Sequence, residues 1–267
     1  MTEQLILEDT PAPYVRRITL NRPDKRNAIS TPLRTALLEA LWAYDEDPDV
    51  RVTILRGSGP CFSSGYDLRS GSLMQDAPFH SAPGSGQWAR QCNETYFNMW
   101  DLAKPVIAQV HGYAIAGGTE LASACDLVYV ADDAQISYPV VRVMSPPDWQ
   151  YHTVLLGMRR AMELMLTGDP ITGHEAALIG WANRAYPADE LEAAVLHVAE
   201  RIAGIPSDLT SLNKRSVHRA MDVWGARAAI RAGTEVAALA QHTETSVQMR
   251  EGLLERVRAQ RPTGGSG

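Results

Sequence analysis

The amino-acid sequence predicts an α/β fold that continues into a helical C-terminal extension. In the first half, short apolar segments typical of strands alternate with segments of helical spacing. From about residue 150 onward, helical spacing prevails. Strands first and helices later favour one α/β core, predicted over residues 1–200, with an extension over residues 201–267. A chain of 267 residues, 45% of them hydrophobic, can bury such a core without disulfides or metals.

Turn and capping signals separate the elements of the first half. Residues 14–20 are predicted to form a strand that ends at the Asn21-Arg22-Pro23 turn. Ser30 is a predicted N-cap, and Pro32 suits the first turn of a helix that runs to about residue 45. The other elements are predicted in this order: a strand at 50–56, a long loop at 69–87, a helix at 88–102, a strand at 105–110, a helix at 114–124 and a strand at 127–131.

Helical spacing in the second half predicts helices at 158–166, 174–178, 188–202, 208–223 and 226–258. A further helix at 149–156 is expected if Asp148, which follows two prolines, acts as its N-cap. The glycine-rich last residues, 262–267, are predicted to fray.

Composition and charge argue against several classes of partner. The chain has 25 basic and 31 acidic residues, a net charge of −6, whereas a nucleic-acid-binding protein needs a basic surface. Because the sequence has no apolar run of about 20 residues and no signal-peptide pattern at its start, no membrane partner is expected. The three cysteines are odd in number and widely spaced, which predicts neither a disulfide framework nor a metal site. A reducing cytoplasm is the expected location.

Two glycine-containing turns could present backbone N–H groups to one ligand. The first contains Gly65, which lets the backbone turn sharply and could point the N–H of Tyr66 into a cleft. The second contains Gly117 and Gly118 where a predicted helix begins, and N–H groups at a helix start attract negative charge. Each turn alone is better explained by a structural role, as an ordinary turn or as close helix packing.

Together, the two turns indicate acyl-thioester chemistry. Such chemistry places negative charge on the thioester carbonyl oxygen, and two N–H donors from separate loops can stabilise it. Each donor of this kind is typically worth about 10²–10³ in rate. Both turns follow predicted buried strands, and adjacent parallel strands would bring them to one edge of a sheet. The pair is therefore a candidate oxyanion hole.

A set of motifs in a fixed order carries a resemblance to a known family. The motifs are Asn21-Arg22-Pro23 with Asn27-Ala28, Phe62-Ser63-Ser64-Gly65-Tyr66-Asp67-Leu68, Pro105-Val106-Ile107-Ala108, Gly117-Gly118-Thr119-Glu120-Leu121-Ala122 and Cys125-Asp126. In order and spacing, over roughly residues 5–260, the chain resembles the crotonase (enoyl-CoA hydratase/isomerase) superfamily.

The resemblance implies a crotonase (ClpP/crotonase-like) fold, a spiral of ββα units whose C-terminal helices assemble homotrimers or homohexamers. It implies an acyl-CoA small-molecule substrate, with coenzyme A as part of that substrate and with no separate cofactor or metal. Carried onto this sequence, the oxyanion donors are the backbone N–H groups of Tyr66 and Gly117. Lys25, Arg26 and Arg69 are the candidate contacts for the phosphates of coenzyme A, although a solvated basic turn explains them equally well.

Two carboxyl groups are candidates for proton transfer. Glu120 lies three residues after Gly117 and shares its helical face, and the resemblance makes it one of the two catalytic glutamates of the hydratases. The second glutamate falls on Val140, which has no proton to transfer. Asp148, eight residues further on, resembles a catalytic aspartate of dienoyl-CoA isomerases and dehalogenases, unless it only caps a helix. His152, four residues later, would share a helical face with Asp148 and could act as a base or orient Asp148.

The predicted function is an acyl-CoA enzyme that stabilises an enolate, foremost an enoyl-CoA hydratase-like lyase. Three alternatives stay open: an isomerase that moves one proton with Glu120, an acyl-CoA hydrolase that uses Asp148, and a non-catalytic acyl-CoA-binding protein. A dinucleotide-dependent dehydrogenase is disfavoured because no G-x-G-x-x-G follows the first predicted strand.

Overall fold

The computed structural model describes residues 4–67, 87–143, 146–240 and 242–259. Most of the loop predicted at 69–87, including the candidate coenzyme A contact Arg69, therefore lies outside the described residues. The described strands are β1 (Ile6–Ala12), β2 (Val15–Leu20), β3 (Val52–Gly57), β4 (Val106–Val110), β5 (Tyr113–Ile115), β6 (Leu127–Ala131), β7 (Gln135–Ser137), β8 (Ile171–Thr172) and β9 (Arg184–Tyr186). The described α-helices are α1 (Thr31–Glu46), α2 (Gln87–Asp101), α3 (Gly117–Ala124), α4 (His152–Thr167), α5 (Gly173–Leu178), α6 (Leu191–Ala203), α7 (Ser207–Val223), α8 (Ala226–Ala240) and α9 (Glu244–Ala259). Two short 3₁₀ helices span Pro23–Lys25 and Pro139–Arg142.

The larger sheet has six described strands in the order β1-β2-β3-β4-β6-β9. β1 pairs with β2 in antiparallel fashion, and every other pair in this sheet is parallel. Strands β3 and β4 are buried along most of their length, and α6 packs across both. Because β3 and β4 are parallel neighbours, the turns that leave their carboxyl ends meet at one edge of the sheet.

A smaller sheet, in the order β5-β7-β8, stands beside that edge. Ser63, in the segment after β3, forms a parallel bridge with Ala114 of β5. Two backbone hydrogen bonds hold the bridge, from Ser63 N–H to the Tyr113 carbonyl at 3.2 Å and from Ile115 N–H to the Ser63 carbonyl at 3.0 Å. The second sheet thereby carries the chain from β4 to the start of α3 alongside the first glycine turn.

The predicted α/β fold with late helices is confirmed. Ser30 caps α1 as expected, because its hydroxyl accepts the N–H of Leu33 at 3.4 Å. The strand predicted at 127–131 coincides with β6, and the helix predicted at 208–223 differs from α7 by one residue. The division at residue 200 stays a prediction. Among the described residues, the structure contains no helix with the length and apolar character that a membrane crossing requires.

The helix predicted at 114–124 is wrong in its first part. Residues 113–115 form β5, and the helix begins only at Gly117. Small residues such as alanine favour a helix locally, but Ala116 adopts a φ of 50° and its N–H donates to the carbonyl of Ser137 in β7. Sheet pairing therefore overrides local propensity here, and it places Gly117 at the first turn of α3.

The single helix predicted at 226–258 is also wrong, because α8 ends at Ala240 and α9 begins at Glu244. The hydroxyl of Thr243 accepts the N–H of Ser246 at 3.3 Å and so caps the second helix. Strands β1, β5, β7, β8 and β9 were not predicted. The last four have only two or three residues, too few to show a period, and β1 lacks alternation because residues 7–10 are all exposed.

The predicted N-cap role of Asp148 is wrong as well. Helix α4 begins at His152, and the residue before it is Tyr151, so no helix occupies the whole of 149–156. Gly157 interrupts α4 with a φ of 73°, so the helix predicted at 158–166 and the later part of the one predicted at 149–156 form a single kinked helix. Asp148 instead lies in irregular backbone before the helix, where a side chain is less constrained by helical geometry.

Candidate active site

The two glycine turns are in direct contact. Gly65 has a φ of +94°, a backbone conformation that favours glycine. A Cβ at this position would come within 2.7 Å of the Ile115 carbonyl oxygen and 3.0 Å of the Gly117 nitrogen. The turn after β3 therefore approaches the start of α3 so closely that only glycine fits.

Backbone pairing holds the Tyr66 segment from its other side. The N–H of Ile29 donates to the Gly65 carbonyl at 2.8 Å, and the N–H of Asp67 donates to the Ile29 carbonyl at 3.0 Å. Asp67 also forms a buried ion pair with Arg22 at 2.8 Å. Residue 66 is thus fixed between two anchored neighbours, which is the rigidity that an oxyanion donor needs.

Helix α3 begins at the second turn and is buried along all of its length. Its first N–H groups lie at the positive end of the helix, where negative charge is stabilised. Gly117 meets the ring of Tyr66, since a Cβ there would lie 2.8 Å from ring carbons. The structure therefore brings together the two predicted oxyanion residues, Tyr66 and Gly117.

Glu120 is fully buried one helical turn beyond Gly117. Its Oε2 accepts a 2.5 Å hydrogen bond from the Tyr66 hydroxyl. Burial, followed by the charge of Asp148, raises the pKa of Glu120 to about 8. The Tyr66 hydroxyl, the Trp149 backbone N–H and the Tyr138 hydroxyl oppose this rise in pKa without cancelling it. Glu120 can therefore carry a proton at neutral pH, as a general acid must.

Asp148 lies close to Glu120 and is 8% exposed. Helix α8 holds its backbone, because the hydroxyl of Thr234 donates to the Asp148 carbonyl at 3.1 Å and itself accepts a hydrogen bond from the Asn93 amide of α2. The next residue, Trp149, is buried in a cluster of aromatic rings formed by Tyr96, Phe97 and Trp100. The C-terminal helices therefore help to build the site.

His152 is placed differently from the prediction that it shares a helical face with Asp148. The histidine is the first residue of α4, whereas Asp148 precedes the helix. Its Nδ1 pairs with the Gln150 side-chain oxygen at 2.8 Å, and its ring stacks on Tyr151. Burial lowers the pKa of His152 to about 3, so the imidazole is neutral. A neutral ring engaged by Gln150 and Tyr151 favours a structural role.

The candidate coenzyme A contacts lie beside the first turn. Lys25 ends a 3₁₀ helix, and both Lys25 and Arg26 are exposed. The carbonyl of Arg26 accepts the N–H of Ser64 at 2.9 Å, which ties this basic turn to the oxyanion segment. The third candidate, Arg69, lies outside the described residues.

Several residues of the site were not predicted in their observed roles. The side chain of Tyr66 was not expected to reach Glu120, 54 positions away. Tyr138 was not expected to lie near Glu120, and Thr234 was not expected to hold the backbone of Asp148. No periodicity or motif connects such distant residues, so single-sequence patterns contained no signal for these contacts.

Comparison with known proteins identifies the family. The family model for enoyl-CoA hydratase/isomerase matches residues 13–260. The chain therefore belongs to the enoyl-CoA hydratase/isomerase family, and the predicted family is confirmed. It is similar to the mitochondrial enoyl-CoA hydratase of Pongo abelii, with 33% identity over 213 residues that cover 77% of this chain and 69% of the relative.

Solved structures confirm the predicted crotonase fold. The enoyl-CoA hydratase/isomerase from Xanthobacter autotrophicus Py2 aligns over 100% of both chains with a TM-score of 0.85 and 30% identity. A monofunctional enoyl-CoA isomerase from Mycobacterium smegmatis aligns with a TM-score of 0.66 and 30% identity over 82% of this chain and 94% of its own. Hydratase and isomerase names both occur at this level of identity, so the reaction has to be argued from the site.

Proposed function

We propose that this protein is an acyl-CoA thioester enzyme that stabilises an enolate and acts as an enoyl-CoA hydratase-like lyase. One observation carries the proposal: two buried carboxyl groups, Glu120 and Asp148, interact electrostatically beside two touching turns. A buried carboxyl group whose pKa is raised by burial and by a second carboxyl group is a typical candidate for general acid–base catalysis.

The backbone supplies the proposed oxyanion hole. The N–H groups of Tyr66 and Gly117 would donate to the thioester oxygen as it becomes an enolate. Contact between Gly65 and Gly117 keeps the backbones of Tyr66 and Gly117 close together. Donors that are already in place need no reorganisation during the reaction, which is why such sites lower the barrier.

The carboxyl pair supplies the proposed proton transfers for hydration. The ionised Asp148 takes a proton from water while the water oxygen bonds to C3 of the enoyl group. The C2–C3 π electrons move toward C1, and the thioester oxygen becomes the enolate oxygen. Glu120, whose raised pKa keeps it protonated near neutrality, then donates its proton to C2. In this scheme Asp148 takes the role of the second hydratase glutamate, whose position Val140 occupies.

Isomerisation of an enoyl-CoA double bond is the second candidate. Val140 lies in the 3₁₀ helix Pro139–Arg142 and brings no carboxyl group, which favours a reaction with one acid–base residue. Glu120 would then take a proton from C2 and return it to C4. The similarity to a monofunctional enoyl-CoA isomerase supports keeping this candidate.

Ligand and assembly follow from the same proposal. Lys25, Arg26 and Arg69 would bind the phosphates of coenzyme A, since the first two flank the oxyanion segment. A homotrimer or homohexamer would cover apolar side chains that the single chain leaves open. The most exposed of those on and between the helices are Val223 (86%), Trp224 (84%), Leu166 (76%) and Leu178 (73%).

The deciding experiment incubates the pure protein with crotonyl-CoA, and separately with a 3-enoyl-CoA, in ¹⁸O water and follows mass. Uptake of ¹⁸O by crotonyl-CoA supports the lyase, and Asp148→Asn should then abolish most of the uptake. Double-bond migration without oxygen uptake supports the isomerase and excludes the lyase. Release of free coenzyme A indicates a hydrolase, and binding without any change indicates a non-catalytic acyl-CoA-binding protein.

A further inference from the structure

The side chain of Tyr66 links the oxyanion turns to the carboxyl pair. Its ring lies against Gly117, and its hydroxyl donates to Oε2 of Glu120 at 2.5 Å. That distance is in the range of a hydroxyl bound to a carboxylate anion. The residue that is proposed to donate a backbone N–H to the substrate therefore also holds the proposed proton donor.

Tyr96 extends this contact into a chain of hydroxyl groups. The hydroxyl oxygens of Tyr66 and Tyr96 are 3.0 Å apart, and either can donate. When Glu120 is ionised, the Tyr66 proton is engaged by the carboxylate, so Tyr96 donates to Tyr66. When Glu120 is protonated at Oε2, it donates to Tyr66, which then donates to Tyr96. The chain can thus keep Oε2 hydrogen-bonded whether Glu120 is charged or neutral.

The other oxygen of this carboxyl group differs. Oε1 of Glu120 is buried and accepts no hydrogen bond of normal geometry from the described residues, and the Trp149 N–H and Tyr138 hydroxyl lower the pKa of the carboxyl group less than the Tyr66 hydroxyl does. A carboxyl group that is held at one oxygen is oriented to exchange protons with a ligand through the other. We propose that the Tyr66 phenol is a positioning residue, which holds Oε2 so that Oε1 exchanges the proton with the acyl group. This inference rests on the proposed function and adds to it a role for the Tyr66 side chain.

The neighbours of Glu120 give the test a definite sign. The titratable groups that interact with it are those of Tyr66, Cys92, Tyr96, Tyr138, Asp148 and Tyr151. Burial and then Asp148 raise the pKa of Glu120, while the Tyr66 hydroxyl is the foremost group that lowers it. Removal of that hydroxyl should therefore raise the pKa of Glu120 further.

The test uses Tyr66→Phe, which removes the hydroxyl and keeps the ring against Gly117. ¹³C NMR of protein labelled at the glutamate carboxyl carbon follows Glu120, whose signal is assigned by its loss in Glu120→Gln. We expect the pKa of Glu120 to rise by about one unit, a tenfold gain in proton affinity. Tyr44→Phe is the matched control, because Tyr44 donates to a different glutamate, Glu8, and should leave Glu120 unchanged. An unshifted pKa in Tyr66→Phe overturns the proposal.

Kinetics adds a reading that a purely structural role would not give. In Tyr66→Phe, kcat should fall with little change in KM, and the pH dependence of kcat/KM should move upward with the NMR pKa. If the wild-type protein turns over crotonyl-CoA, and Tyr66→Phe leaves both the pKa of Glu120 and kcat unchanged, then the positioning role of Tyr66 is refuted and the proposed lyase function stands. A wild-type protein without turnover but with the shifted pKa refutes the lyase and supports the Tyr66–Glu120 coupling.

A second variant covers the case in which Tyr66→Phe does not fold. Replacement of Tyr66 by 3-fluorotyrosine keeps the shape of the ring and makes the phenol a stronger hydrogen-bond donor. Stronger donation stabilises the carboxylate, so the pKa of Glu120 should fall. A pKa that does not change with 3-fluorotyrosine at residue 66 overturns the proposal.

Discussion

The oxyanion turns and the carboxyl pair are neighbours, but they are assembled in different ways. The turns consist of backbone at the ends of two adjacent parallel strands, and their geometry depends on Gly65 and on the start of α3. The carboxyl pair depends on side chains, one on α3 and one on irregular backbone that α8 holds in place. Damage to the turns should therefore disturb backbone and stability together, whereas damage to the pair should change chemistry and leave the fold intact.

The largest expected effect is that of Glu120→Gln. This change keeps the shape of the side chain and removes the proton, so turnover should fall at least about 10²-fold with little change in fold. Steady-state rates and thermal unfolding measure the two quantities. Glu163→Gln is the matched control, since Glu163 is exposed and pairs only with Arg160 among the described ion pairs. Turnover that is equal in Glu120→Gln and wild type would remove Glu120 from the mechanism.

The next effect is expected from Gly65→Ala, which tests the backbone half of the comparison. The new Cβ would collide with the Ile115 carbonyl and the Gly117 nitrogen, so turnover should fall about 10²-fold through the oxyanion hole. Strain at the positive φ should also cost roughly 1–3 kcal/mol of stability. Urea unfolding and turnover are measured on the same preparation.

Gly180→Ala separates strain from collision. Gly180 has a φ of +84°, yet among the described residues other than its two chain neighbours no heavy atom lies within 4 Å of the point that a Cβ would occupy there. The Gly180 variant should therefore lose stability and keep its specific activity. If the two variants lose the same specific activity, contact between the turns is not what Gly65 provides.

A pH effect on stability is expected from the carboxyl half. The folded protein raises the pKa of Glu120 from 4.5 to about 8 through burial and the Asp148 charge. Between these pH values the folded state holds a proton that the unfolded state has released, so the free energy of unfolding falls as pH rises. The stability that this bound proton contributes is fully present below pH 4.5 and is lost as pH rises past about 8. Urea unfolding across this window should show a steeper decline for wild type than for Glu120→Gln, and equal slopes would contradict the raised pKa.

The smallest effect is expected from Thr234→Val. This change removes the hydroxyl that donates to the Asp148 carbonyl, and it should cost about 1 kcal/mol of stability and less than tenfold in turnover. Thr210→Val serves as the control, because the Thr210 hydroxyl donates to the Pro206 carbonyl in an exposed hydrogen bond at the first turn of α7. A turnover loss confined to Thr234→Val would show that α8 positions the Asp148 segment.

Much of the fold could be predicted from local patterns, and the errors share a cause. The cap at Ser30 and strand β6 depend on neighbouring residues and were predicted closely. The false helix over Ala114 and the false cap at Asp148 came from propensities that distant pairing overrides. Strands as short as β8 have too few residues to show a period, although pairing with β7 stabilises them.

The sequence by itself determined the parts of the site that are local. A glycine turn at residue 65 and the position of Glu120 one helical turn after Gly117 follow from backbone preferences and helical spacing. The start of the helix at Gly117 does not, because it depends on the pairing of Ala116 with β7. The tertiary structure alone decided that the Tyr66 hydroxyl reaches Glu120, that Asp148 lies beside it, and that burial raises the pKa of Glu120. The physical reason is that hydrogen bonds, Coulomb interactions and desolvation depend on distance in space, which the order of residues along a chain does not contain.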